Sequence, residues 1–282
     1  MLRGGVRLAV ISTIVQAFIF CWHYRLQFYL IALPAIIVLA ILSTLVTSLL
    51  PTTFQHTYGF NLFTEQSAVS NGTFGYTYGI SLWRSFADVC LFFLMAGSLL
   101  FYSVAWHRFF LVPNEDVKIV DCYRWKARHS LFLWSNMKIF LFIIPIGGIG
   151  LLLTLASVVF APLVGVVIIF LVCVCYARFS MWLPAAALEQ KMTLKEALVL
   201  TRGNGRQLAA ILILTTITSG ILDVLAGSLI SYASLSLGTV GVLTQSLLTN
   251  FALYLITYAG TALGISALSI SYQKLIEADG SQ

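Results

Sequence analysis

Residues 139–161 read IFLFIIPIGGIGLLLTLASVVFA, and residues 163–184 read LVGVVIIFLVCVCYARFSMWLP. The first stretch has no charged residue, and the second has only Arg178, near its end. Each exceeds or matches the ~20 apolar residues needed to cross a ~30 Å hydrocarbon layer. Phe160-Ala161-Pro162 is the tight turn between them, so the pair reads as a helical hairpin. In hydrocarbon a backbone must satisfy its own polar groups, and a helix does so within one segment. An all-α membrane fold follows.

Further apolar runs lie at 26–50, 82–106, 208–233 and 243–270; the last is rich in Gly, Ser and Thr but uncharged. The whole chain is 60% hydrophobic and 9% charged, against ~25% charged in a soluble domain. No long polar stretch interrupts it. Residues 1–282 are therefore expected to form one integral membrane domain, a polytopic bundle of about six transmembrane helices with interfacial amphipathic helices. The shorter run from Val6 to Cys21 reads as an interfacial or partly inserted helix; a seventh span is the competing reading. The start of the chain does not read as a cleaved signal peptide, because His23, Tyr24 and Arg25 follow the apolar run without a small-residue cleavage site.

Lys and Arg set the orientation. They gather before residue 26 (Arg3, Arg7, Arg25), in 107–138 (Arg108, Lys118, Arg124, Lys126, Arg128, Lys138), in 178–206 (Arg178, Lys191, Lys195, Arg202, Arg206) and at Lys274. Residues 51–81, 139–177 and 207–273 contain none, and Arg84 is the exception among the outer positions. Six spans with both termini in the cytoplasm satisfy this pattern, whereas seven would put Arg3 and Arg7 outside. The net charge of +6 therefore points to the anionic cytoplasmic leaflet rather than to nucleic acid. The outer segment 51–80, rich in Thr, Gly, Asn and aromatic residues, is expected to cap the bundle. Its Asn71-Gly72-Thr73 matches a glycosylation sequon by chance.

Three inner stretches look alike: Trp22 to Pro34 (WHYRLQFYLIALP), Trp134 to Pro145 (WSNMKIFLFIIP) and Thr201 onward (TRGNGRQLAAILI). They suggest three units, 3–106, 115–184 and 189–272, each an interfacial helix, a basic break and two spans. The alternative is the ordinary alternation of basic loop and apolar helix. Trp22, Trp134 and Trp182 are expected to anchor at headgroup level. Asn136 and Gly203-Asn204-Gly205 are expected to break the helix and turn it into the bilayer. Thr193-x-x-Glu196 is a capping box.

A charge inside a span is a functional lead. Asp223 lies in the fifth span, and Arg84 and Asp88 stand at i and i+4 in the second. Gly260-x-x-x-Gly264 permits close helix packing. Arg108 and Arg178 each end a span a few residues before a proline (Pro113, Pro184) and then a glutamate (Glu115, Glu189). With Arg202 and Arg206 they are the candidates for binding lipid phosphate. Cys173-x-Cys175 points to two helix faces and is no metal site; the outer loops hold no cysteine and imply no disulfide. Walker, H-E-x-x-H and G-x-S-x-G patterns are missing, so no catalytic residues, metal or cofactor are expected.

The run from Arg178 through Ser180, Pro184, Ala185 and Glu189, continuing to Thr193-Leu194-Lys195-Glu196-Ala197, Thr201 and Gly203-Asn204, resembles the YciC-like bacterial membrane proteins. It is also similar to the membrane domain preceding some glycerophosphoryl diester phosphodiesterases. The resemblance is specific over roughly 175–210 and otherwise rests on helix order. It implies a membrane-domain fold in the bacterial inner membrane, with a role in envelope or lipid homeostasis. It does not imply hydrolysis: Phe109 after His107-Arg108 stands where a His-Arg-Gly signature has glycine.

The resulting expectation is a non-enzymatic inner-membrane protein that engages anionic lipid, or a protein partner, at the cytoplasmic leaflet. One rival is a small-solute or proton-coupled transporter using Asp223, against which the spans show few polar residues to line a path. The other is an assembly scaffold that contacts a partner or a second copy through the Gly-rich final hairpin.

Overall fold

Long apolar runs without helix breakers give long helices, and the computed structural model, which describes residues 8–50, 82–112, 119–156, 161–236 and 241–280, consists of them. In chain order they are α1 (Val10–His23), α2 (Arg25–Leu49), α3 (Leu82–Leu111), α4 (Ile119–Cys122), α5 (Ala127–Ala156), α6 (Ala161–Phe179), α7 (Trp182–Ala187), α8 (Leu194–Leu200), α9 (Gly205–Ser236) and α10 (Val242–Asp279). No strand occurs among the described residues. Six helical stretches are long and apolar enough to cross a membrane: Arg25–Leu49, Trp83–Leu111, Ala127–Gly150, Pro162–Ala187, Gly205–Ile230 and Leu243–Asp279. The chain is thus a multi-pass, all-α bundle. The expected outer cap at 51–80, its sequon, and the residues Arg3, Arg7, Pro113, Glu115 and Lys118 lie outside the described residues.

Helix α1 has 14 residues and spans ~21 Å at 1.5 Å per residue, too short to cross. Its Thr13 and Ala17 are buried, and that face packs on α9 and α10. Its other face carries Ile11, Val15, Phe18, Ile19 and Trp22, all exposed, as suits contact with lipid.

The sequence expectation fails at Asn136. Helix α5 runs unbroken from Ala127 to Ala156, so the third span begins 12 residues before the expected Ile139. Asn lowers helix propensity by well under 1 kcal/mol, which the flanking apolar packing outweighs. The break expected at Gly203-Asn204-Gly205 does occur. Gly203 has φ +84°, a left-handed conformation open to glycine, and buried Asn204 accepts from the Leu8 backbone N–H at 3.0 Å. The fourth span divides at Ser180-Met181 into α6 and α7, and α10 continues past Lys274 to Asp279.

Pro34 sits inside α2 and removes a backbone donor. The orphaned carbonyl is that of Leu30, and the neighbouring Ile31 carbonyl accepts from the Tyr123 hydroxyl at 2.6 Å. Burial pushes the Tyr123 phenol up, so it stays a donor.

Two cores hold the bundle. One joins α2, α3 and α10 through Phe28, Ile36, Tyr102, Trp106 and Tyr258. The other joins α1, α5, α7, α9 and α10 through Ala17, Phe132, Met181, Leu208 and Ala267. The second core sits at the end of the bundle that carries the basic residues. Towards the opposite end packing thins. Among the described side chains, none of α9 beyond Thr215 and none of α6 before Ala177 is buried.

Two glycines set helix spacing. A Cβ on Gly260 would lie 2.9 Å from the Ser219 side chain, and one on Gly150 would lie 2.5 Å from Ile168. Gly264 is different, because a Cβ there meets nothing within 4 Å. The Gly260-x-x-x-Gly264 pattern is therefore half a packing motif. Gly260→Val should destabilise by about 1–3 kcal/mol through overpacking, while Gly264→Ala should stay within ~0.5 kcal/mol. Thermal unfolding of both variants in the same detergent checks this pair of outcomes.

Candidate functional site: an intramembrane cleft

Two of the four arginines expected to hold phosphate, Arg108 and Arg178, meet helix ends. The last carbonyls of a helix have no intrahelical partner, and a cation at that end also meets the negative pole of the helix dipole. Arg178 Nη2 donates to the Leu198 carbonyl at 2.8 Å, and its Nε donates to Thr201 Oγ1 at 3.0 Å. It thereby caps α8. Arg108 Nη1 donates to the Ala187 carbonyl at 3.2 Å, at the end of α7. The same end carries a Schellman-type turn: the Gln190 N–H donates to Ala185 at 2.9 Å and the Glu189 N–H to Ala186 at 3.0 Å. Glu189 takes φ +61°, unusual for a residue with a side chain. The run carrying the family resemblance is thus largely one piece of helix-end architecture. At the far end, Arg84 Nη1 donates to the Val46 and Leu50 carbonyls at 3.1 Å each, closing α2, while its Nε pairs with Asp88 at 3.0 Å.

The remaining expected residues divide. Arg202 and Arg206 are exposed, and neither guanidinium bonds a described residue. Trp22, 73% exposed, lies 5.2 Å from the Arg25 guanidinium, and Trp134, 61% exposed, lies 5.7 Å from Lys138 Nζ. Trp182 does not sit at the lipid surface. It is 5% exposed, stacked on Phe179 at 6.1 Å, with Lys138 Nζ 5.8 Å from its ring. The turn into α7 carries it inward. The capping box forms as expected: Glu196 N–H donates to Thr193 Oγ1 at 3.3 Å, and Thr193 N–H to Glu196 Oε2 at 2.7 Å. That backbone donor holds the Glu196 carboxyl below its ordinary range.

Two hollows of about 800 Å³ stand out among the described residues. One, about 830 Å³, lies at the basic end between α8 and the end of α10. Its charged walls are Lys191, Lys195, Glu196 and Asp279, so cations and anions balance and nothing there selects phosphate.

The other is a cleft of about 800 Å³ between α9–α10 and the helices α3, α5 and α6. Helix α9 contributes Thr215, Ser219 and Asp223, four residues apart and so on one face. Helix α10 contributes Thr257, Gly260, Thr261 and Gly264, three or four residues apart and so also on one face. Apolar walls come from Leu99, Phe132, Ile169, Leu212, Ile217 and Leu268. Asn136 and Cys173 also face in. His107, buried at the base, has Nδ1 2.8 Å from Ser269 Oγ. Polar residues that look sparse along each span are thus gathered on one cleft. The signal was present in the Ser/Thr spacing of α9 and α10, but only helix packing shows that the two stripes face one hollow.

Set beside known proteins, the chain matches no family model, no curated protein and no solved structure.

If Arg178 is a cap, Arg178→Ala should cost about 1.5–3 kcal/mol, the worth of charged hydrogen bonds. Exposed Arg202→Ala should stay within ~0.5 kcal/mol. Denaturation of both variants in one detergent gives the comparison; equal losses would contradict the cap.

Proposed function

We propose that the chain is a non-enzymatic, multi-pass protein of the bacterial inner membrane that holds an amphiphilic lipid in the cleft between α9–α10 and α5–α6. The observation that carries this reading is the cleft itself. Its volume of about 800 Å³ lies in the range of ligand sites, ~300–1,000 Å³. Its walls are mainly apolar, with a line of hydroxyl groups, which suits a lipid better than a hydrophilic solute.

The basic end contributes a second, weaker interaction. Exposed Arg202 and Arg206 attract anionic headgroups of the cytoplasmic leaflet, at ~1 kcal/mol per cation near the surface, with both termini on that side. The resemblance over 175–210 agrees with a role in envelope or lipid homeostasis.

A transport reading has one observation in its favour. The cleft reaches from His107, near the basic end of α3, to Asp223, 18 residues into α9, about 27 Å along the helix.

Gly264 provides the test, because its side faces open space. Gly264→Phe should fill the cleft, leave folding intact and abolish co-purification of lipid, read by native mass spectrometry. Lipid retention equal to the parent protein would overturn the cleft as the binding site. Transport predicts in addition that a single-cysteine variant keeping Cys173 reacts with membrane-impermeant thiol reagents from both sides. Reaction from neither side is the result expected of a lipid holder.

A further inference from the structure

A carboxylate facing an apolar cleft is costly unless a cation meets it. Asp223, whose side chain is exposed, borders such a cleft. It lines the cleft, and no hydrogen bond or ion pair joins it to any described residue. Among the described residues, the other acid of this end, Asp88, is paired with Arg84 at 3.0 Å. No Lys or Arg lines the cleft among the described residues.

Four hydroxyl groups on its α9 and α10 walls are committed in one direction. Thr215 donates to the Ile211 carbonyl at 2.9 Å and Ser219 to Thr215 at 2.9 Å. Thr257 donates to Leu253 at 3.0 Å and Thr261 to Thr257 at 2.8 Å. Each proton is spent on the residue's own helix, so each oxygen offers the cleft only its lone pairs. These two stripes therefore accept hydrogen bonds beside a negative charge, while Ser103, Asn136, Tyr176 and Thr216 supply donors elsewhere in the lining.

We propose that the ligand is an amphiphile whose head carries a protonated amine, paired with Asp223, with its apolar part running towards Leu268 and Phe132. This rests on the cleft being the lipid site. An ammonium group supplies three donors and a positive charge, which matches acceptor stripes and a carboxylate. A head bearing phosphate alone supplies neither and would be repelled. Asp223 lies 15 residues into the apolar run 208–233, in the half of the bilayer away from the basic end, so the amine sits towards that surface and the tail points inward.

The test compares the parent protein with Asp223→Asn, Asp223→Glu and Gly264→Phe in nanodiscs of equal phosphatidylethanolamine and phosphatidylglycerol, with retained lipid read by native mass spectrometry. The parent protein and Asp223→Glu should favour phosphatidylethanolamine. Asp223→Asn should keep binding lipid but lose that preference by roughly tenfold, the worth of one partly desolvated ion pair. An unchanged preference in Asp223→Asn, or a parent preference for phosphatidylglycerol, overturns the amine. Lipid retention that survives Gly264→Phe overturns the cleft, whatever Asp223 does. Dodecylamine distinguishes the source. If it binds the parent protein and not Asp223→Asn while phosphatidylethanolamine is not favoured, the ligand is a free long-chain amine and the pairing with Asp223 stands. Equal dodecylamine binding by both proteins overturns the pairing.

Discussion

A helix that ends in or beside lipid leaves carbonyl groups with no partner, and water is not there to take them. This constraint organises the bundle. Arg84 closes α2, Arg108 meets the end of α7, and Arg178 closes α8. Arginine suits the task because its several donors are fixed in one plane, so one side chain can reach two acceptors at once. The arginines also bind elements distant in sequence, since Arg84 and the Val46 carbonyl are 38 residues apart and Arg108 and Ala187 are 79 apart. Helix ends and tertiary structure are thus fixed by the same contacts.

Anchoring of this kind, together with the second core, draws the basic end tight. Met181, Ala177, Ala187 and Ala197 are fully buried there, small or flexible residues that let short helices nest between long ones. Towards the other end α6 and α9 present exposed Leu, Ile and Val side chains. Gly260 holds α9 and α10 close at mid-height, through contact with Ser219, while Gly264 one turn away leaves room.

Much of the fold was legible in the sequence, because six long apolar runs admit few alternatives. The capping box and the Gly203 turn were also legible, since both are local chemistry. Helix ends were less so: α5 begins 12 residues earlier than its apolar run, because the amphipathic stretch from Ala127 finds buried partners for His129 and Phe132 that no local pattern displays. Charge was the least legible feature. Arg178 in sequence is a cation at the edge of a span, equally suited to phosphate or to a carbonyl, and only the position of α8 decides between them. Trp182 looked like Trp22 and Trp134, yet a two-residue turn after Phe179 moves it from the lipid face to the core. Asp223 stood out from the start, but the hydroxyl stripe facing it from α10 depends on tertiary packing.

The central claim is that the cleft is a site for an amphiphile and not a gap between loosely packed helices. Electron microscopy of the protein in native-lipid nanodiscs tests it most directly. The account predicts elongated density between α9–α10 and α5–α6, with its polar end beside Asp223. Helices α6 and α9 closed against α3 and α10, with no room left for a ligand, would contradict it.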